Sequence, residues 1–278
     1  MLVFYHPRQS AANNPGYSPS AGKPALFVDL LARHGLPVEI QGFEPASRED
    51  LCRAHDPAYV DGVLSCRIDN GFGNRLPEVA DSLPYTSGSL LAAARAALAA
   101  RAVTCSPTSG FHHAGYDFGE DYCTFNGLMV TALALRAEGL LGRVAVLDCD
   151  FHFGNGTEDI VDRLECREWC LTSGERFVPA RDGEAYLRLL DGFLDELLTF
   201  RPDLILYQAG ADAHMDDPLG GVLTSDQLLR RDQTVFARLA GLPLAWNLAG
   251  GYQRDPDGGI SRVLDLHLAT CRAALCLR

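Results

Sequence analysis

The dipeptide His112-His113 and the string Leu147-Asp148-Cys149-Asp150-Phe151-His152-Phe153-Gly154-Asn155-Gly156-Thr157 hold the side chains best suited to chemistry. Asp150 and His152 stand two positions apart, straight after the apolar run at 144–147. On a strand, positions i and i+2 share a face, so this carboxylate and imidazole would point the same way from a strand end. Such a pair begins a divalent-metal site with open positions. One more carboxylate and a base would make it a hydrolase.

Elements that place these groups can be read from the pattern of apolar runs. Short β-rich runs at 2–5, 38–40, 102–105, 144–147, 169–171, 204–207 and 244–248 alternate with helical stretches at 25–34, 87–101, 127–138, 183–198, 224–239 and 260–275. That alternation predicts an α/β fold, a parallel sheet with helices on both faces. No repeat, low-complexity tract or linker interrupts it, so residues 1–278 read as one domain. Residues 13–24, rich in Asn, Pro, Gly and Ser, read as a surface loop. The polar clusters follow four of the strands: Ser106 to Gly115, Asp148 to Thr157, Gln208 to His214, and Ala249 to Tyr252. Ligands of open α/β sheets bind outside the carboxyl ends of the strands. The glycines there let backbone approach closely or take positive φ.

Composition narrows the class. With 278 residues, 47% hydrophobic and 22% charged, the chain has ample material for a large core. A net charge of -12 argues against nucleic acid or anionic membrane as partner, since both need basic patches. The start, MLVFYHPRQS, lacks a basic segment followed by a long apolar one, and no apolar run approaches the ~20 residues of a membrane span. Nine scattered cysteines without a CxxC pattern, Cys166 and Cys170 being the closest pair, read as reduced thiols of a cytoplasmic protein.

The order His-His, then Asp-x-Asp-x-His with Gly-Asn-Gly-Thr, then Gly-Ala-Asp-Ala-His-x-Asp-Asp-Pro-Leu-Gly-Gly, then Gly-Gly-Tyr resembles the histone deacetylase and acetylpolyamine amidohydrolase family. The similarity runs from about His55 to Tyr252. It implies a three-layer α/β/α sandwich, arginase-like, with a mostly parallel sheet, and metal-dependent hydrolysis of N-acyl amines. By position, Asp150, His152 and Asp212 would hold Zn²⁺, or Fe²⁺ in its place. His112 and His113 would handle protons, and Tyr252 would polarise the acyl carbonyl. The resemblance places Asn155, where many relatives have Asp, beside His113. It also implies a K⁺ or Na⁺ ion behind the loop, at the carbonyls of Asp148, Asp150 and His152 with Thr172 or Ser173.

Chemistry leads to the same roles. Amide hydrolysis needs an activated water, a base, an acid for the leaving amine and a donor to the oxyanion. Three protein ligands leave a metal position open. Asp148, on the face of Asp150, would orient the His112 ring. Asp121, Tyr122, Phe177 and Gly250 would line the substrate channel, with core packing the competing role for Phe177. His214 is better suited to a structural hydrogen bond. Relatives commonly have glycine where Asp121 stands, and a carboxylate at the rim would favour a cationic amine. The stretch from Thr157 to Asp212 is short, predicting an open mouth or one completed by a second copy in a homo-oligomer. An N-acylated amine, acyl-lysine ahead of acetylpolyamine, is the expected substrate. A dinuclear arginase-like site would need an Asp-x-Asp pair, and Asp212-Ala213-His214 lacks it. A catalytically silent binder of acyl amines should have lost a ligand or the tyrosine, and neither is missing. No glycine-rich nucleotide motif follows the first strand.

Overall fold

The structure, a computed structural model, describes residues 1–14 and 16–276. Seven strands form one sheet: β1 (Leu2–Phe4), β2 (Glu39–Gln41), β3 (Val103–Ser106), β4 (Val144–Asp148), β5 (Cys170–Thr172), β6 (Leu204–Gln208) and β7 (Leu244–Asn247). Their order is β2-β1-β3-β7-β6-β4-β5, and every pairing among them is parallel. The helices are α1 (Lys23–Arg33), α2 (Arg48–Ala54), α3 (Pro57–Leu64), α4 (Pro77–Ala100), α5 (Gly127–Ala137), α6 (Asn155–Arg163), α7 (Gly183–Phe200), α8 (Ser225–Arg238) and α9 (Ser261–Leu275).

Strand periodicity divides the core in two. Ala145, Leu147, Ile205, Tyr207, Leu244 and Trp246 face one layer, built from α1, α7, α8 and α9. Val144, Val146, Leu204, Leu206 and Ala245 face the other, built from α2 to α6. Side chains alternate faces along a strand, so a strand covered on both sides must be apolar throughout. Each fully buried aliphatic side chain contributes roughly 1.5–3 kcal/mol. The expected three-layer sandwich follows directly. Among the described residues no helix is long and apolar enough to cross a membrane. All nine cysteines are free.

The apolar runs stop in register. Ser106 pairs with Asn247, Asn247 with Gln208, and Gln208 with Asp148. The last residues of four adjacent strands therefore form a buried polar row at the carboxyl edge of the sheet. The candidate site lies just beyond this row.

Several elements depart from expectation. Helices α2 and α3 are too short for a periodic signal, although Ser47 and Asp50 form a capping box and Asp56 caps α3. The stretch read as a surface loop at 13–24 is partly interior: Ser18, Ser20 and Lys23 are buried, and Lys23 already belongs to α1. Helix α4 starts at Pro77 rather than at position 87 and carries Pro84 inside. The Pro84 carbonyl accepts from the Ala46 amide at 2.9 Å, so a crossing segment is tied to the helix at that turn.

Gly88 marks how closely the crossing runs. A Cβ there would lie 2.6 Å from Ala46 N and 2.9 Å from both Glu44 O and Pro45 Cα, all backbone. In an open helix Gly→Ala gains about 1 kcal/mol. Here the sign should reverse: Gly88→Ala is expected to destabilise the protein by about 1–3 kcal/mol, read as a lowered urea midpoint. A raised midpoint would show that the segment yields freely.

Candidate metal centre and proton-handling pair

The sheet edge brings together residues remote in sequence. Asp150 and His152 follow β4, Asp212 follows β6, His112 and His113 follow β3, and Tyr252 follows β7. Asp212 is fully buried, Asp150 nearly so, and His152 is partly open. One ligand atom from each of Asp150, His152 and Asp212 lies within 4.8 Å of the others.

The hydrogen bonds orient this trio. His152 Nε2 donates to the Leu219 carbonyl at 3.0 Å. Its Nδ1 therefore faces Asp150 Oδ1 at 3.1 Å and Asp212 Oδ2 at 2.9 Å. Gly250 N donates to Asp150 Oδ2 at 2.9 Å. Asp212 Oδ1 is buried without a partner among the described residues.

Two buried carboxylates this close create a demand for positive charge. Burial works against Asp150, yet His112 and His152 hold its carboxyl well below the usual range. Burial first, and then the Asp150 charge, push Asp212 well above. Hydrogen bonds to Asp150 and Asp212 pull the His152 ring up to about 11. A proton meets that demand only in part, whereas a divalent cation on two carboxylate oxygens and one imidazole nitrogen meets it fully. The orphaned Asp212 oxygen and this donor set fit such an ion.

The two adjacent histidines are held by different partners. Their ring centroids are 4.0 Å apart. His112 Nδ1 meets Asp148 Oδ2 at 2.7 Å. The other Asp148 oxygen accepts from the Asp150 amide at 3.1 Å and from Gln208 Nε2 at 2.9 Å. Asp148 is thus an acceptor on every side, and His112 Nδ1 must be the donor. Burial alone would lower His112, but Asp148 and Asp150 outweigh it and raise the ring to about 9. A cation between Asp150 and Asp212 would cancel part of this pull and leave Asp148 as the main support.

His113 Nδ1 lies 2.6 Å from Asn155 Oδ1, and Asn155 Nδ2 donates to Glu120 Oε1, also at 2.6 Å. Glu120 accepts only, so it sets which way the Asn155 amide points. The amide oxygen then faces His113, Nδ1 carries the proton, and Nε2 keeps a free lone pair. Burial first, and then the neighbouring His112, hold His113 below its ordinary value. Tyr252 is buried, with its backbone N–H on Asp217 Oδ2 at 2.7 Å. Burial, and then Asp150 and Asp212, push its phenol well above 10, so it stays protonated.

Not every residue expected at the channel stands there. Tyr122 does face the site: its ring centroid is 5.7 Å from that of Tyr252 and 5.8 Å from that of Phe72. Asp121 is exposed and shares a left-handed turn with Tyr122, at φ 45 and φ 68. Its charge reaches His113. Phe177 is a correction. It is buried in the core, stacked on Tyr186 with centroids 4.8 Å apart, because α7 covers that face of the sheet. Gly250 also stands elsewhere, against the carboxylates themselves. Thr172 gives its hydroxyl to Glu158 instead of the metal loop. Ser173 is the residue that reaches Asp148, accepting from its amide at 2.9 Å and donating to its carbonyl at 3.0 Å. His214 makes structural bonds, to Ser225 Oγ at 3.0 Å and from the Asp216 amide at 3.2 Å.

Some contributors escape a reading of the sequence. Gln208 and Asp217 lie inside motifs already singled out, and Glu120 adjoins Asp121, so position alone could have pointed to them. Lys23 gives no such signal. It is buried by α1 and donates to the Ala249 carbonyl at 2.9 Å, bracing the turn before Gly250. Tyr17, from the same N-terminal stretch, lies near parallel to Tyr252 with centroids 6.5 Å apart.

A Cβ on Gly250 would fall 2.6 Å from both Asp150 Oδ2 and Asp212 Oδ2. Gly250→Ala is therefore expected to force the carboxylates apart and lower Zn²⁺ uptake below the ~1 ion per chain expected of wild type. Asp150→Ala and His152→Ala should abolish uptake. Elemental analysis after desalting checks this, and unchanged metal in all three variants would refute the ligand assignment.

Comparison with known proteins identifies the family and the fold. The histone deacetylase domain model matches residues 20–166 and 177–270. The chain is 29% identical to histone deacetylase 10, chloroplastic, of Oryza sativa subsp. japonica, over 91% of this chain and 70% of that one. It is 26% identical to a probable deacetylase of Methanothermobacter thermautotrophicus, over 92% and 86%. In fold it is similar to the crystal structure of acetylpolyamine aminohydrolase from Burkholderia pseudomallei, with TM-score 0.79, 22% identity and coverage of 100% and 99%. With the family model spanning most of its length, the chain belongs to the histone deacetylase family.

Proposed function

We propose that this chain is a metal-dependent amidohydrolase that removes acetyl or other short acyl groups from an amine such as acyl-lysine. One observation carries the reading: a buried carboxylate pair with one imidazole lies beside two histidines whose separate partners drive their proton affinities apart. Pairs of titratable groups separated in this way mark acid and base roles. Asp150, His152 and Asp212 would hold the ion. A bound Zn²⁺ or Fe²⁺ supplies Lewis acidity, easing deprotonation of water and polarising the acyl carbonyl.

The protein's own groups do the rest. His113 Nε2, neutral near pH 7, accepts the proton of the attacking water and returns it to the departing amine nitrogen. His112, held protonated against Asp148, adds positive charge next to His113 and keeps its proton affinity low. Tyr252, protonated at any working pH, donates to the oxyanion as it develops. Gln208 and the Asp150 amide hold Asp148 in place, so the His112 ring cannot turn. A K⁺ or Na⁺ ion at the carbonyls behind the metal loop belongs to the same proposal, with Ser173 in place of Thr172. An acetylpolyamine is the second substrate reading, favoured by the exposed Asp121 and Glu120 beside His113. The acidic net charge supports a small-molecule or protein-lysine substrate over nucleic acid. Activity of the Zn²⁺-loaded protein on acetyl-lysine peptides and acetylpolyamines tests the reading. No turnover of either, with metal bound, would overturn it.

Tyr252→Phe should keep the fold and the metal while kcat falls by ~10²–10³. Wild-type kcat in that variant would remove the phenol from the mechanism.

The base works only when neutral, so activity falls as pH drops through the His113 pKa. That pKa is lowered, which puts the acidic limb of kcat/KM below the ordinary imidazole value of about 6.5. Asn155→Asp places an anion on His113 Nδ1, raises its proton affinity and should move the acidic limb to higher pH. A limb that stays put or moves down would dissociate Asn155 from the base.

A further inference from the structure

The ladder between β4 and β6 ends just before the candidate ligands. Asp148 pairs with Gln208, and the Cys149 amide still donates to the Gln208 carbonyl at 2.9 Å. Beyond this point backbone hydrogen bonding between the two segments stops, the Ala211 amide turning to the Gly250 carbonyl, although Gly210 stays packed against Asp150, where a Cβ on it would lie 2.7 Å from Asp150 Cα. A side chain from α8 bridges the two segments. Arg231 Nη1 donates to the Gly210 carbonyl at 2.7 Å and to the Cys149 carbonyl at 3.3 Å. Cys149 immediately precedes Asp150, and Gly210 lies two residues before Asp212.

The bridge is anchored from behind. Arg231 is fully buried, and its Nε donates to Asp232 Oδ1 at 2.8 Å. Asp232, equally buried, also accepts the Tyr207 hydroxyl on Oδ1 and the Thr270 hydroxyl on Oδ2. These tie the pair to β6 and α9. Tyr186 adds a second donor to the Cys149 carbonyl at 3.0 Å. Burying a guanidinium is costly unless its charge and donors are used. Here the charge is matched by Asp232 and Nη1 alone spans the two carbonyls where backbone pairing has stopped, while Nη2 is buried without a partner among the described residues. Nε and Nη1 lie in one rigid plane, so anchoring Nε on Asp232 fixes where Nη1 meets the two carbonyls, as a single ammonium nitrogen cannot.

We propose that Arg231 is a positioning residue that fixes the separation of the Asp150 and Asp212 carboxylates and thereby tunes the affinity for the divalent ion. The proposal rests on the reading that these carboxylates hold that ion. Arg231 itself is outside the trio, and it acts through the backbone of the two strand ends. Groups that orient ligands in this way typically change metal affinity 10–100-fold when removed.

The test is Zn²⁺ affinity of the full-length protein by competition with a chelator, together with the visible absorption of the Co²⁺-substituted protein, which reports ligand geometry. Arg231→Met should weaken Zn²⁺ binding ~10–100-fold and alter the Co²⁺ spectrum. Arg231→Lys, which keeps the charge but not the rigid pair of nitrogens, should recover part of both. Arg230→Met, at the exposed neighbour that pairs with Glu184, should match wild type. Circular dichroism and thermal melting establish that each variant is folded. If Arg231→Met does not fold, Arg231→Lys decides alone: weaker binding with an altered spectrum supports the proposal. Wild-type affinity and spectrum in folded Arg231→Lys overturn it. The parallel Asp150→Ala variant separates the two claims, since undiminished Zn²⁺ binding there overturns the metal-site reading itself.

Discussion

At the carboxyl ends of β4 and β6, two buried carboxylates are held too close to remain charged together without a cation. The surrounding structure is arranged around that repulsion. Gly250 has no side chain because its Cβ would strike both carboxylates, and its amide donates to one of them. His152 gives Nε2–H to a backbone carbonyl so that its other nitrogen faces the pair. Lys23 and Arg231 bring buried positive charge to the backbone around the site while leaving the carboxylates themselves open.

The same field separates the histidines. His112 stands on the anionic side, with Asp148 on one nitrogen and Asp150 at 3.6 Å from the other. His113 stands one residue further, behind a neutral amide, and experiences the His112 charge as repulsion. Adjacent side chains of one chemical type thus acquire opposite protonation states near neutral pH. The distinction depends on Asn155 presenting its oxygen to His113, and that depends on Glu120 accepting from its nitrogen. A carboxylate at the rim therefore selects the tautomer of a half-buried imidazole two contacts away.

Packing supplies the rigidity that this electrostatics needs. Parallel strands covered on both faces place four polar residues in register at one edge, and the helices of both layers prevent that edge from shifting. Burial also removes the water that would otherwise screen the carboxylates, so the fold that positions the charges also strengthens their interaction.

The sequence by itself determined the sheet, both apolar faces and the loops that carry the chemistry. Short continuous apolar runs and glycine-rich polar segments are local patterns, legible without knowing what they touch. The spacing of Asp150 and His152 on a strand end, and the His112-His113 pair, were legible for the same reason. Helices α2 and α3 and the early start of α4 were not, because short elements and a proline-containing turn owe their stability to neighbours distant in sequence. Phe177 was misassigned because an aromatic residue suits a channel and a core equally well, and only the position of Tyr186 distinguishes them. Lys23 and Arg231 were invisible as contributors, since a charged side chain ordinarily lies in water. What places them inside is a partner from another strand or helix, and partnership across sequence is a property that only the tertiary structure decides.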